Sequence, residues 1–134
     1  MRTVPLSSRR DFLKSAGKGA LAFSIVPRHV LGGALFTAPS EEITRAVVGV
    51  GGMGQGHLGY TGARTVAICD VDQKHLEQAL SRLEAGVTGH RDFREVLARE
   101  DIDVVHIATP PHWHGIISAE AAKAGKDVWC EKPM

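Results

Sequence analysis

Apolar residues in this chain come in short runs, and the spacing between them changes from one stretch to the next. Ile43 to Val48 is near-continuously apolar after Arg45, as a strand buried on both faces requires. Thr65-Val66-Ala67-Ile68-Cys69, Val104-Val105-His106-Ile107-Ala108 and Asp127-Val128-Trp129-Cys130 repeat the pattern and predict three more strands. Between them the period lengthens. Leu76, Ala79, Leu80 and Leu83 fall on one helical face, with Asp72 placed to cap the start and Gly86 past the end. Val87-Thr88 reads as the stub of a third strand, and Asp92-Phe93-Arg94-Glu95 as a capping box before Val96-Leu97. Pro110 and Pro111 suit the first turn of a helix carrying Ile116, Ile117, Ala121 and Ala122 and ending at Gly125. Gln55 to Gly62 holds only a short helix, because Gly56 and Gly59 weaken it. Strands alternating with helices at these intervals predict an α/β fold, a doubly wound parallel sheet with right-handed crossovers.

The first strand runs into Gly49-Val50-Gly51-Gly52-Met53-Gly54, which reads G-x-G-x-x-G. In a dinucleotide site the first glycine makes the turn, the second lets backbone approach a pyrophosphate, and the third lets helix lie against sheet. Free N–H groups at the start of the helix then face the phosphates. The motif alone is weak in a chain with 15 glycines. Its context strengthens it, because the second strand ends at Asp70, 19 residues after Gly51, where the carboxylate for the adenosine ribose belongs. The fold class is therefore Rossmann-like. Loops after strands one, two, four and five leave the same sheet edge, so the glycine loop, Asp70, Thr109-Pro110 and Lys132 should gather at one crevice.

With 134 residues, 43% hydrophobic, the chain holds one ordinary domain. Its formal charge of +1 hides an asymmetry: residues 1–34 carry a net +5 and the remainder −4. No basic patch survives in the folded part, which argues against a nucleic-acid partner. Cys69 and Cys130 each close a strand and fit buried thiols better than a disulfide framework. Trp113 and Trp129 read as packing residues. His106, His112 and His114 could be read as metal ligands, but a helix start and a strand would aim them apart and no Cys or carboxylate completes a set. No metal is expected.

Ser8-Arg9-Arg10-Asp11-Phe12-Leu13-Lys14 matches the twin-arginine export signal S-R-R-x-F-L-K at every fixed place. The apolar run behind it, Ala16 to Val26, is too short and weak for a permanent membrane span. The expected organisation is a signal peptide over 1–34, a linker over 35–44 and the nucleotide-binding domain over 45–134. The expected destination is the periplasm or an equivalent compartment, through the twin-arginine machinery, which carries folded proteins.

Taken in order, Gly49 to Gly54, Cys69-Asp70-Val71-Asp72, Ala108-Thr109-Pro110 with His114, Ala124-Gly125-Lys126 and Glu131-Lys132-Pro133 resemble the N-terminal domain of the Gfo/Idh/MocA oxidoreductases. Val26-Pro27-Arg28-His29-Val30-Leu31-Gly32-Gly33 looks like the leader of exported members. The resemblance implies roles by position. Gly49, Gly51 and Gly54, with the amides of Gly52 and Met53, would contact the pyrophosphate, and Asp70 the adenosine ribose. Thr109, Pro110 and His114 would border the nicotinamide end. Lys132 would hydrogen-bond the reacting hydroxyl as the catalytic residue, with Glu131 beside it and Pro133 helping to place the ring. It implies hydride transfer between a sugar or polyol and nicotinamide, with a homo-oligomer left open. Two departures stand out: the helix after the glycine loop is shorter than the family's, and the α/β substrate domain that follows the E-K-P motif in the family is absent from these 134 residues.

Asp70, followed by Val71 and Asp72 rather than an arginine, favours NAD, with NADP the alternative. Lys74 is the nearest base in sequence. A second class of function stays open beside the oxidoreductase, a non-catalytic dinucleotide-binding module or inactive fragment.

Overall fold

The computed structural model describes Ala38 and residues 41–133. The export signal and most of the linker expected from the sequence lie outside the described residues. Five strands form one parallel sheet: β1 (Thr44–Val48), β2 (Arg64–Cys69), β3 (Thr88–His90), β4 (Val104–Ile107) and β5 (Asp127–Cys130), in the order β3-β2-β1-β4-β5. The helices are α1 (Gly54–His57), α2 (Gln73–Leu80), α3 (Phe93–Leu97) and α4 (Pro111–Lys123). This is the doubly wound Rossmann-like fold that the apolar runs predict. β1 already begins at Thr44, inside the stretch expected to be linker.

Alternation along the strands splits the interior into two layers. Ala46, Val48, Ala67, Cys69, Val105 and Ile107 face Phe93, Val96 and Leu97 of α3 and Ile117 and Ala121 of α4. Val47, Val50 and Ile68 face Leu76 and Ala79 of α2, with Leu58, Leu80 and Leu83 at the margin. Burial of a side chain such as Ile68 or Ile107, at 0% and 1% exposure, stabilises by roughly 1.5–3 kcal/mol. The β1–β2 register shifts by one residue after Arg45, pairing Arg45 with Thr65 and Ala46 with Ala67. Val66 is the extra residue, and it reaches the same layer as Ala67 instead of alternating away from it.

Several local expectations need correction. β3 spans Thr88–His90, not Val87-Thr88, because pairing with Ala67, Ile68 and Cys69 of β2 defines it rather than strand propensity. At Gly89 a Cβ would come within 2.9 Å of the Leu80 side chain, so Leu80 and Leu76 occupy the space a side chain would need. α2 stops at Leu80 rather than reaching Leu83; Arg82 and Leu83 donate to Ala79 and Leu80 in tighter i→i+3 turns. Asp92 does cap α3, accepting from the Arg94 N–H at 2.9 Å, but Glu95 does not close a capping box. Its carboxylate takes the His90 ring at 3.0 Å instead. Asp72 caps α2 as expected, accepting from Lys74 N–H at 2.8 Å. Both cysteines are free thiols, Cys69 buried and Cys130 half-buried. Trp113 and Trp129 pack at the surface, 40% and 44% exposed, Trp113 against Phe93 and Trp129 against Tyr60 and His106.

Candidate functional site

β1 and β4 lie side by side while their crossovers run to opposite faces, so the loops after them part and open a crevice at the carboxyl edge. Sheet bonding carries on into these loops. Gly49 N–H donates to Cys69 O, Asp70 N–H to His90 O, Ala108 N–H to Val48 O, and Glu131 N–H to Ile107 O. The residues after each strand are thus held by the sheet itself. Gly49 has φ +87°, and a Cβ there would stand 2.8 Å from the Ala108–Thr109 backbone. A Cβ on Gly54 would stand 1.7 Å from Gly49 O. These two glycines let the first and fourth loops pack together.

The crevice is a cleft of about 640 Å³, walled by Gly49, Gly51, Gly52 and Met53 on one side and by Asp70, Val71 and Asp72 on another. Ala108, Thr109, Pro110, Trp113 and Ile117 close it from the α4 side, with Phe93 beside them. Its features fit a dinucleotide. The N–H groups of Gly52 and Met53 have no backbone partner among the described residues, and a Cβ on Gly52 would meet only open space. The Thr109 hydroxyl, buried in the wall, has no partner either. Because α1 is only four residues long, these open loop amides and not a helix dipole are what an anion would meet. Burial, then the neighbouring Asp70 charge, pushes the Cys69 thiol up to about 12, so it lines the cleft as a neutral group.

Asp70 does two jobs. Oδ2 accepts from Val50 N–H at 2.9 Å and Oδ1 from Asp72 N–H at 2.9 Å, so the carboxylate braces the glycine loop and its own turn. Each oxygen retains a second lone pair for a ribose hydroxyl. The His75 ring lies 3.6 Å from the carboxylate and against Gly51. Arg91 and Arg94 also reach the cleft, and Arg91 donates to Val71 O at 3.0 Å with no carboxylate partner among the described residues. Lys74 is the nearest base to Asp70 in sequence, whereas in space His75 stands beside the carboxylate and Arg91 and Arg94 line the same cleft. His75, Arg91, Arg94, Phe93 and Trp113 carry no spacing signal, since separate crossovers bring them to the cleft.

The remaining expected residues stand outside the cleft walls. His114 is 2% exposed, its Nδ1 2.8 Å from Pro133 O and its Nε2 2.7 Å from Thr109 O, so it ties two loops together from behind. Lys132 is exposed at the end of β5 with no ion pair among the described residues. Glu131, before it, bonds the ring of His57 at 2.9 Å. Behind this pair lies a second polar group. Arg45, fully buried, donates to Thr65 Oγ1 and to the carbonyls of Leu58 and Tyr60. His106 stands 3.5 Å from it and 4.6 Å, ring to ring, from Trp129. Burial first, then the charges of Arg45 and His57, press His106 down to about 4. Among the described residues no three His, Cys, Asp or Glu side chains form a metal-binding group.

Comparison with known proteins agrees with this geometry. The chain is 32% identical to a glycosyl hydrolase family 109 protein of Shewanella baltica (strain OS195), over 94% of this chain and 33% of that protein. It is 31% identical to the alpha-N-acetylgalactosaminidase of Shewanella oneidensis, with the same coverage. The chain thus spans about a third of the length of the curated relatives it matches. Among solved structures it is similar to myo-inositol 2-dehydrogenase from Lactobacillus plantarum, with a TM-score of 0.64 and 30% identity over 69% of this chain and 28% of that one. The scyllo-inositol dehydrogenase of Lactobacillus casei, solved with NAD(H) and scyllo-inositol, gives 0.62 and 32% over 69% and 28%. The family model for the oxidoreductase family with an NAD-binding Rossmann fold, GFO/IDH/MocA, matches residues 43–134, and the chain belongs to that family.

Proposed function

We propose that this chain is the cofactor-binding half of an exported oxidoreductase that moves hydride between a sugar or polyol carbon and NAD. The cleft carries the reading: Gly52 and Met53, whose amides have no backbone partner among the described residues, and the Asp70 carboxylate line one cleft of about 640 Å³. What the nicotinamide supplies when bound is reversible hydride exchange with a carbinol carbon. The chain's own residues do the rest. Gly51, Gly52 and Met53 hold the phosphates, Asp70 orients the ribose, and Thr109 and Pro110 border the far end. The Lys132 ammonium hydrogen-bonds the substrate oxygen and stabilises the negative charge that develops there. A general acid/base to carry the proton would come from a substrate-binding domain.

NAD is preferred over NADP because a 2′-phosphate would meet the Asp70 carboxylate with Asp72 close behind. The sugar or polyol class draws support from the inositol dehydrogenases and the alpha-N-acetylgalactosaminidase to which the chain is similar. Those glycosyl hydrolase relatives also favour a second reading, glycoside cleavage in which the cofactor is regenerated. Reduced cofactor accumulating with each turnover would mark the first reading, and sugar release without it the second. The twin-arginine signal and periplasmic destination are proposed from the Ser8–Lys14 match. Fluorescence titration of the chain with NADH tests the central reading: saturable binding that weakens in Asp70→Ala is expected, and no binding at millimolar NADH would overturn it.

A further inference from the structure

Lys132 has to be presented at a fixed place to act on a substrate oxygen, yet its own side chain is exposed and bonded to nothing among the described residues. What holds it is next to it. Glu131 N–H donates to Ile107 O at 2.8 Å, which extends the β4–β5 ladder by one residue. The Glu131 side chain then reaches across the sheet edge to His57, the last residue of α1, with Nε2 and Oε1 2.9 Å apart. A carboxylate only accepts, so the Nε2 of His57 carries the hydrogen and donates. Both side chains are largely shielded, at 14% and 24% exposure, so water competes little for the bond. The His57 ring is itself wedged edge-on against His106 at 5.6 Å and Trp129 at 6.1 Å.

We propose that His57 is a positioning residue for Lys132, acting through Glu131 and joining the helix that leaves the glycine loop to the strand that ends in the catalytic motif. This rests on the reading of Lys132 as the hydroxyl-binding group. α1 starts at Gly54, directly behind Met53, so the segment that meets the phosphates and the segment that meets the substrate share one link. His114, bonded to Pro133 O, fixes the residue after Lys132, and His57 fixes the residue before it. Lys132 is thus held at its backbone on both sides while its ammonium has no partner among the described residues.

The test is backbone relaxation on the isotopically labelled chain, which at 14.4 kDa suits solution NMR. In the unaltered chain the Lys132 amide should show a rigid order parameter of about 0.85. In His57→Leu and in Glu131→Ala it should fall below about 0.6, while the Val105 and Ile107 amides of β4 stay rigid. His57→Gln places an N–H donor where Nε2 stood and should keep Lys132 ordered. Unchanged order at Lys132 in both disrupting variants, or equal loss in His57→Gln, would overturn the proposal. Should His57→Leu fail to fold, Glu131→Ala carries the test alone. NADH titration of the same samples is independent: failure of the unaltered chain to bind removes the functional reading and leaves the order measurement intact.

Discussion

Gly54→Ala should collapse the site, although alanine is the better helix former. Propensity at the first residue of α1 favours alanine by at most about 1 kcal/mol. Against that, the new Cβ would lie 1.7 Å from Gly49 O and 2.8 Å from Gly49 C. Backbone would have to retreat by more than an ångström to restore about 3 Å. Gly49 has nowhere to go, because it is pressed on the Ala108–Thr109 backbone and its N–H is bonded to Cys69 O at 2.7 Å. Overpacking of this kind costs about 3 kcal/mol or more, so the clash wins by at least about 2 kcal/mol. For a domain of this size that lowers the melting temperature by roughly 8–16 °C. Gly52→Ala is the control: its Cβ meets nothing within 4 Å among the described residues and it lacks a positive φ, so its melt should stay within about 2 °C. Circular dichroism melts of the three proteins decide it. A Gly54→Ala protein that melts with the unaltered chain would refute the packing argument, as would Gly52→Ala being the less stable variant.

His106 should make stability fall with acid. It is neutral in the fold with its pKa near 4 against 6.5 when unfolded, so its contribution is full above pH 6.5 and is lost as pH falls towards 4, by about 3 kcal/mol. Urea unfolding at pH 7 and pH 4.5 should show a shallower dependence in His106→Gln; equal slopes would count against it. Lys132→Ala should leave the melt within about 2 °C and NADH affinity within about twofold, because the side chain is exposed and unpaired among the described residues; a destabilised variant would mean that Lys132 serves folding. Asp70→Ser should move the NADH-to-NADPH preference at least tenfold towards NADPH, and adding Arg91→Ala should take that gain back. If Arg91→Ala changes nothing, the guanidinium at Val71 plays no part in cofactor choice. Replacing Arg9 and Arg10 by lysine should stop export of a reporter fused behind the leader, and unchanged export would refute the twin-arginine assignment.

The large pieces were legible because burial on both faces leaves an unambiguous mark. Ala46–Val48, Thr65–Cys69 and Val104–Ala108 read as buried strands at sight, and the order of loops at the carboxyl edge followed from crossover handedness. β3 was poorly legible because Thr88, Gly89 and His90 carry no shared preference; pairing with β2 makes them a strand. The place of Asp70 at the cleft was legible, whereas its bracing of Val50 N–H was not, since that depends on where the glycine loop turns back. His57 and Glu131 stand 74 positions apart, and no local pattern joins them. The same holds for Arg91 beside Val71, brought across by the β3–α3 connection.

The shifted register at Val66 bears on how this family's chains can change length. Most deletions within a strand would slip every following side chain to the wrong face. Removing Val66 would instead leave Arg45 opposite Thr65 and Ala46 opposite Ala67, now in an unbroken ladder. Its toll would be one buried valine, roughly 1.5–3 kcal/mol, with Asp70 undisturbed at the cleft. β2 therefore contains a point where a residue can be gained or lost without re-aiming the end of the strand that lines the cleft.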